Sequence, residues 1–131
     1  MKKVLLVFLI TVLAISVFGC KKSLPPNTTQ EFYDIGIEIS QDLDYFINDE
    51  MACTTLHKRA EEAEEKLEEL WLEKSAEEQD KHATDYFLKS AIATLVIATS
   101  GDYEKYEARE TKETIDAYLE NGFYAAMDEK E

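Results

Sequence analysis

Cys53 and His57 stand four residues apart, a spacing that places two side chains on one face of a helix. A thiol beside an imidazole suggests redox work or metal binding. The plainer reading is a small apolar cysteine near a helix start and a solvated histidine. A Cys53–Cys53 bridge between two chains is a third possibility outside the cytoplasm. Glu78, His82 and Tyr86 also line up at four-residue spacing. Two ligands on one turn make no metal site without donors from other helices, so a polar helix face is the simpler expectation.

Other chemistries lack their residues. A di-iron carboxylate bundle needs paired Glu-x-x-His motifs, but Thr54 and Gln79 stand three residues before His57 and His82. The glutamates of 61–73 have no Asp-x-Asp-x-Asp-Gly loop to form a calcium cage, and suit a diffuse counterion cloud. Gly-rich phosphate loops, a Gly-x-Ser-x-Gly elbow and a His-Glu-x-x-His helix are all missing. The chain is therefore expected to be no enzyme, with no catalytic residue, no metal site and no cofactor.

The elements that would position these residues read as helices. Apolar residues recur at three and four throughout the chain after the first twenty residues. Thr28-Thr29-Gln30-Glu31 has capping-box spacing and opens a helix with Phe32, Ile35, Ile39, Leu43 and Phe46 on one stripe. This helix is expected to end near Asn48 to Glu50. Thr54 or Thr55 is the expected cap of a second helix, with Leu56, Ala60, Ala63, Leu67 and Leu70 as its seam and Trp71 beside it. Ser75-Ala76-Glu77-Glu78 is a second capping box, opening a third helix that runs to Gly101. From Ala91 to Ala98 this helix is apolar nearly all round, as expected of a helix surrounded by others; Lys89 and its shortness exclude a membrane span.

Gly101 is the expected C-cap and Asp102 the cap of a fourth helix carrying Tyr103, Tyr106, Ala108, Ile115, Tyr118 and Leu119. That helix ends at Asn121-Gly122, and the apolar tail from Phe123 to Met127 should fold back onto the rest. No strand alternation is present. The fold class is all-α, a small antiparallel up-down four-helix bundle. The alternative is a three-helix core with the C-terminal segment packed across it.

The first twenty residues are of a different kind. Met1-Lys2-Lys3 is a short positive stretch, and Val4 to Phe18 is apolar except for Thr11 and Ser16. That run is short for a bilayer span and has the flanks of a secretory signal. It closes on Val17-Phe18-Gly19-Cys20, which resembles the lipobox of bacterial lipoproteins: an aliphatic residue, a tolerant position, a small residue, then cysteine. Phe18 is bulkier than the usual choice at the tolerant position. The resemblance implies cleavage between Gly19 and Cys20, a diacylglyceryl thioether on the Cys20 sulfur and acylation of its new amino group. It covers only residues 1–20.

The expected organisation is a signal peptide over 1–19, a lipidated cysteine and tether over 20–27, and an acidic helical domain over 28–131. With Cys20 lipidated, Cys53 has no thiol partner within its own chain. Pro25 and Pro26 suit an extended tether, and Lys21 and Lys22 sit where anionic headgroups would be. The expected location is the extracytoplasmic face of a cell membrane, held there by the lipid. Lys21 is not the Asp that marks inner-membrane retention in enteric bacteria, so outer-membrane sorting is permitted.

Charge sets the partner class. The chain has 28 carboxylates against 14 Lys and Arg, a formal charge of −14. The first twenty residues hold two lysines and no carboxylate, so the part from Lys21 onward carries −16. That excludes a nucleic-acid partner, whose phosphates require cationic side chains. It favours a basic protein or peptide partner, with salt-sensitive association. Tyr103 and Tyr106 in a charged run, and Tyr45 among Asp42, Asp44 and Asp49, have the composition of recognition tyrosines. Each also suits a ring in the core with its hydroxyl in water. The expected function is a membrane-anchored, non-enzymatic interaction module; the alternative is a solute- or metal-binding lipoprotein with a pocket between helices.

Overall fold

The computed structural model describes the backbone of residues 24–128 and the side chains of residues 24–123. The expected signal segment, Cys20 and the two lysines of the expected tether lie outside the described residues. Among the described residues five helices follow in order: α1 (Gln30–Ile47), α2 (Cys53–Leu72), α3 (Ala76–Lys81), α4 (Ala83–Thr99) and α5 (Lys105–Asp128). The four long ones form the bundle and short α3 packs against α4.

Contacts between neighbouring helices run in opposite directions along each pair. Phe32 and Asp42 of α1 meet Trp71 and Arg59 of α2. Glu68 and Trp71 of α2 meet Lys89 and Tyr86 of α4. Gly36 and Ser40 of α1 meet Leu119 and Asp116 of α5. Phe87 of α4 meets Tyr118 of α5, closing the ring. The architecture is the expected up-down-up-down bundle. Its core takes three residues from each long helix: Phe32, Ile39 and Leu43; Leu56, Ala60 and Leu67; Leu88, Ile92 and Leu95; Ala108, Ile115 and Leu119. These sit at the three- and four-residue intervals that put one face of each helix inside.

Two glycines are explained by close approach. Gly36 lies in mid-helix, where glycine costs about 1 kcal/mol relative to alanine. A Cβ there would stand 2.8 Å from Leu119 Cδ2, so glycine lets α1 and α5 pack closely. Gly122 has φ +78° and breaks the helical path of α5 at the predicted boundary. Its Cβ position is also 3.0 Å from the Pro26 carbonyl oxygen. Beyond the break Phe123, the first residue of the expected tail, lies on the bundle with its ring stacked on Phe87 at 3.7 Å, and the side chains of 124–127 lie outside the described residues.

Several local expectations are corrected. Thr29, not Thr28, is the cap position of α1, and its side chain does not cap: the N–H and hydroxyl of Thr29 both go to Asp85 of α4. The Thr28 hydroxyl instead donates to the Pro26 carbonyl. Helix α2 starts at Cys53, ahead of Thr54 and Thr55, after an uncapped Ala52. Ser75 does accept from the Glu78 N–H, but the helix it opens is only six residues long. His82, at φ −113° and ψ 54°, separates α3 from α4.

Helix α4 ends at Thr99 with Ser100 in a helical conformation, so Gly101 is no left-handed cap. Asp102 is not the start of α5 either: the Glu104 N–H is accepted by Glu107 Oε2, and α5 begins at Lys105. Nor is α4 surrounded on all sides. Ile97 is 75% exposed and Thr94 is exposed, because the helix occupies a corner of a four-helix ring and has one outward face.

Residues 24–27 are not an extended spacer. Pro25 is buried, Asn27 turns the chain through the left-handed region at φ 61°, and the Pro26 carbonyl accepts from the Thr84 hydroxyl at 2.7 Å. Asparagine is among the few residues that tolerate that backbone conformation. The described chain thus enters the bundle already attached to it. This end of the molecule also holds the start of α4, the end of α2 and the break in α5, and is called the entry end below.

Candidate functional site

Sequence reasoning singles out Cys53 and His57, and the structure brings both to one residue. The Cys53 thiol donates to the Thr99 carbonyl at 3.7 Å, and His57 Nδ1 pairs with the Thr99 hydroxyl at 2.9 Å. His57 Nε2 faces Glu61 at 3.1 Å. Burial, then the charge of Asp102, pushes the Cys53 thiol above its ordinary pKa, which opposes the thiolate that redox or metal chemistry requires. The pair ties α2 to the end of α4. Glu78, His82 and Tyr86 do not form a row, since Glu78 lies on α3, His82 in the break and Tyr86 on α4. Among the described residues no group of three or more His, Cys, Asp and Glu is arranged to hold a metal ion.

Two polar clusters escape sequence reasoning because their members are far apart in the chain. Ser40, Lys112 and Asp116 link α1 to α5. Ser40 Oγ donates to Asp116 Oδ1 at 2.5 Å, and Lys112 Nζ reaches Ser40 Oγ at 3.2 Å and Asp116 Oδ2 at 2.5 Å. A serine beside a lysine invites comparison with a nucleophile and its base. Burial would lower the Lys112 pKa, but the hydrogen bond and charge of Asp116, then Asp44, outweigh it and the pKa is raised. A lysine held protonated takes no proton from serine, so this cluster is a partly buried clasp.

The second cluster is at the entry end. The Asp85 side chain is fully buried and accepts from the Thr29 N–H at 2.9 Å and the Thr29 hydroxyl at 2.8 Å, with Lys74 Nζ at 3.5 Å. Lys74 also reaches His82 Nδ1 at 3.2 Å. Beside it, the buried Thr84 hydroxyl donates to the Pro26 carbonyl and accepts from the Phe123 N–H at 3.1 Å. One hydroxyl therefore joins the first and last described stretches of the chain. The buried polar groups of this cluster are partnered, and a pocket of about 400 Å³ opens beside it between Thr29, Phe32, Leu70 and Lys74.

A groove of about 490 Å³ lies between α4 and α5. Ser90, Ala91, Thr94 and Ala98 line one wall at three- and four-residue spacing. Glu107, Glu110, Thr111 and Thr114 line the other, with Phe87 and Tyr118 near the entry end and Tyr103 at the far end. The hydroxyls of Ser90, Thr94, Thr111 and Thr114 each bond to a carbonyl one turn back in their own helix. Buried Tyr103 bonds to Thr111 at 2.8 Å, and burial raises the pKa of both Tyr103 and Tyr118, so both stay neutral. Tyr103 takes the core reading of its tyrosine, while Tyr45 and Tyr106 are about half exposed. Glu110 is exposed and has no ion-pair partner among the described residues.

The surrounding surface is acidic for a simple reason. Among the described residues, Arg59, Lys74, Lys81, Lys89, Lys105 and Lys112 are each paired with a carboxylate. Little positive charge is left to offset the glutamates of α2 and α5. No described helix is long and apolar enough to cross a membrane. Set against models of known families, curated proteins and solved structures, the chain matches none.

Proposed function

We propose that the chain is a lipid-anchored extracytoplasmic lipoprotein whose helical bundle is a non-enzymatic interaction module for basic partners. The anchor rests on the sequence at Val17 to Cys20, with lipid on the Cys20 sulfur after cleavage beyond Gly19. Two or three acyl chains hold a protein firmly to a bilayer, whereas one gives marginal binding. The attachment of residues 24–27 to the bundle leaves Lys21 to Ser23 as the span between lipid and domain. Four residue steps reach at most ~14 Å.

The observation that carries the interaction reading is the uncompensated negative surface. A charge of −16 from Lys21 onward, with most described cations already tied to carboxylates, attracts cationic groups and raises their encounter rate. The protonated state of Lys112 and the raised pKa of Cys53 argue against catalysis at the two sites whose residue types invite it.

Cys20→Ser tests the anchor. It abolishes incorporation of labelled fatty acid and releases the protein from membranes; acylation that persists in the variant overturns the lipoprotein reading. Association with a basic model partner should weaken steeply with salt as the screening length falls to ~8 Å near physiological ionic strength. Affinity that ignores salt removes the case for basic partners.

A further inference from the structure

We propose that the α4–α5 groove is the docking site for one amphipathic cationic helix of a partner, a reading that rests on the preference for basic partners argued above. The groove runs between two antiparallel helices whose facing residues repeat at three and four, so a third helix can lay a ridge of side chains along it. From Phe87 to Ala98 it offers about 17 Å at 1.5 Å per residue, three turns of an occupant. Alanine, serine and threonine on the α4 wall let that occupant approach closely.

Hydrogen bonding selects a helix over an extended peptide. An extended segment needs partners for its N–H and C=O groups, since a buried unpaired one costs about 1–3 kcal/mol. Here the wall hydroxyls give their protons to carbonyls of their own helices, at 2.9 Å for Ser90, Thr94 and Thr111 and 3.1 Å for Thr114, so they have no proton left for the C=O groups of an extended segment. A helix satisfies its own backbone and asks nothing of those walls.

Glu107 and Glu110 mark the α5 rim, and Glu107 has one oxygen engaged by the Glu104 N–H. Lysine or arginine on the occupant meets these carboxylates while its aliphatic face covers Ala91 and Ala98. Ile97, 75% exposed and one turn beyond Thr94, and Tyr106, 56% exposed and one turn before Glu110, extend the apolar surface at the outer shoulders. A second copy of this chain is a poor occupant, because it would bring its own excess of carboxylates to the same rim.

The test uses the full chain in nonionic detergent micelles and three labelled probes of about 12 residues: a Leu/Lys amphipathic helix, its Leu/Glu counterpart, and the Leu/Lys sequence interrupted by proline. Fluorescence anisotropy is expected to show binding of the first only. Thr94→Phe, at an exposed position, fills the groove and should weaken that binding about tenfold or more. Glu110→Lys should weaken it about fivefold. Glu65→Lys, the same charge reversal on α2 away from the groove, should change it less than twofold.

Equal losses from Glu110→Lys and Glu65→Lys, or full binding by Thr94→Phe, overturn the groove as the site and leave the preference for basic partners standing. Failure of every basic probe to bind overturns both. Equal binding of the proline-interrupted probe overturns the helical occupant. Self-association that Thr94→Phe abolishes overturns the proposal in favour of a second copy.

Discussion

The entry end and the α4–α5 groove are built from the same kinds of residue and arranged in opposite ways. At the entry end a buried carboxylate, a buried threonine and stacked aromatic rings find partners across the bundle. Asp85 takes two bonds from Thr29, Thr84 bridges Pro26 and Phe123, and Phe87 stacks on Phe123. In the groove a carboxylate is left exposed and the threonines turn back on their own helices. The first arrangement holds the fold together, since buried polar groups are costly unless satisfied. The second leaves surface for something else. A small bundle can thus divide its polar residues between cohesion and recognition without any catalytic constellation.

The strongest way to break this contrast is Asp85→Ala. It removes both acceptors of Thr29 and leaves Lys74, itself largely buried, without its carboxylate. Losing one partner of a buried ion pair costs about 3–5 kcal/mol. Urea unfolding is expected to show that loss, whereas Glu110→Ala in the groove stays within ~0.5 kcal/mol of the parent. Comparable values for the two variants would erase the distinction between a cohesive end and a free groove.

Thr84→Val sharpens the same contrast with a smaller effect. The substitution keeps shape and removes only the hydroxyl that links Pro26 to Phe123. The expected cost is about 1–3 kcal/mol. Hydrogen exchange should quicken together at the residues after Pro26 and at Phe123, because one group serves both. Faster exchange at only one of the two would mean that the termini are held independently.

The four long helices were legible because burial follows the three-four spacing: Phe32, Ile39 and Leu43, or Leu56, Ala60 and Leu67, can be read directly as inner faces. The caps were not. Thr28 and Glu31 have the right spacing, yet the Thr28 hydroxyl goes to the Pro26 carbonyl and the cap position passes to Thr29, whose N–H and hydroxyl go to Asp85, 56 residues away. Local rules weigh only local acceptors, and a distant carboxylate won. Asp85 itself gave one weak signal, an acid in the first turn before an apolar run, which suits a solvated helix start equally well.

The groove was half legible. Its small residues Ser90, Ala91, Thr94 and Ala98 stand in plain view, but composition alone made this helix a surrounded one. Which side faces outward depends on the ring order of the bundle, and that follows from contacts such as Glu68 with Lys89 and Phe87 with Tyr118. Gly36 belongs to the same class of information, since its reason is Leu119 on another helix.

The smallest expected effect is the pH response of Asp85, and its sign is informative. Burial raises the carboxyl above its ordinary pKa, against the pull of the Thr29 N–H and hydroxyl, Lys74 and His82. A carboxyl whose folded pKa exceeds the unfolded value of ~3.9 stabilises the fold most below that value. Its contribution is lost as pH rises through the raised folded pKa, because between the two values the folded chain holds the extra proton. Asp85→Asn, fixed neutral, lacks this loss. The stability of the parent relative to the Asn variant should therefore decline as pH rises from about 3.5 and level off above the folded pKa. The many other carboxylates titrate in both chains and cancel in the difference. A difference that grows with pH would mean that Thr29 and Lys74 outweigh burial and hold the Asp85 carboxyl below its ordinary pKa. Salt separates the two regions in either case: it weakens the groove's hold on a basic partner, whereas the buried Asp85 and Lys74 are screened little and keep the entry end fastened.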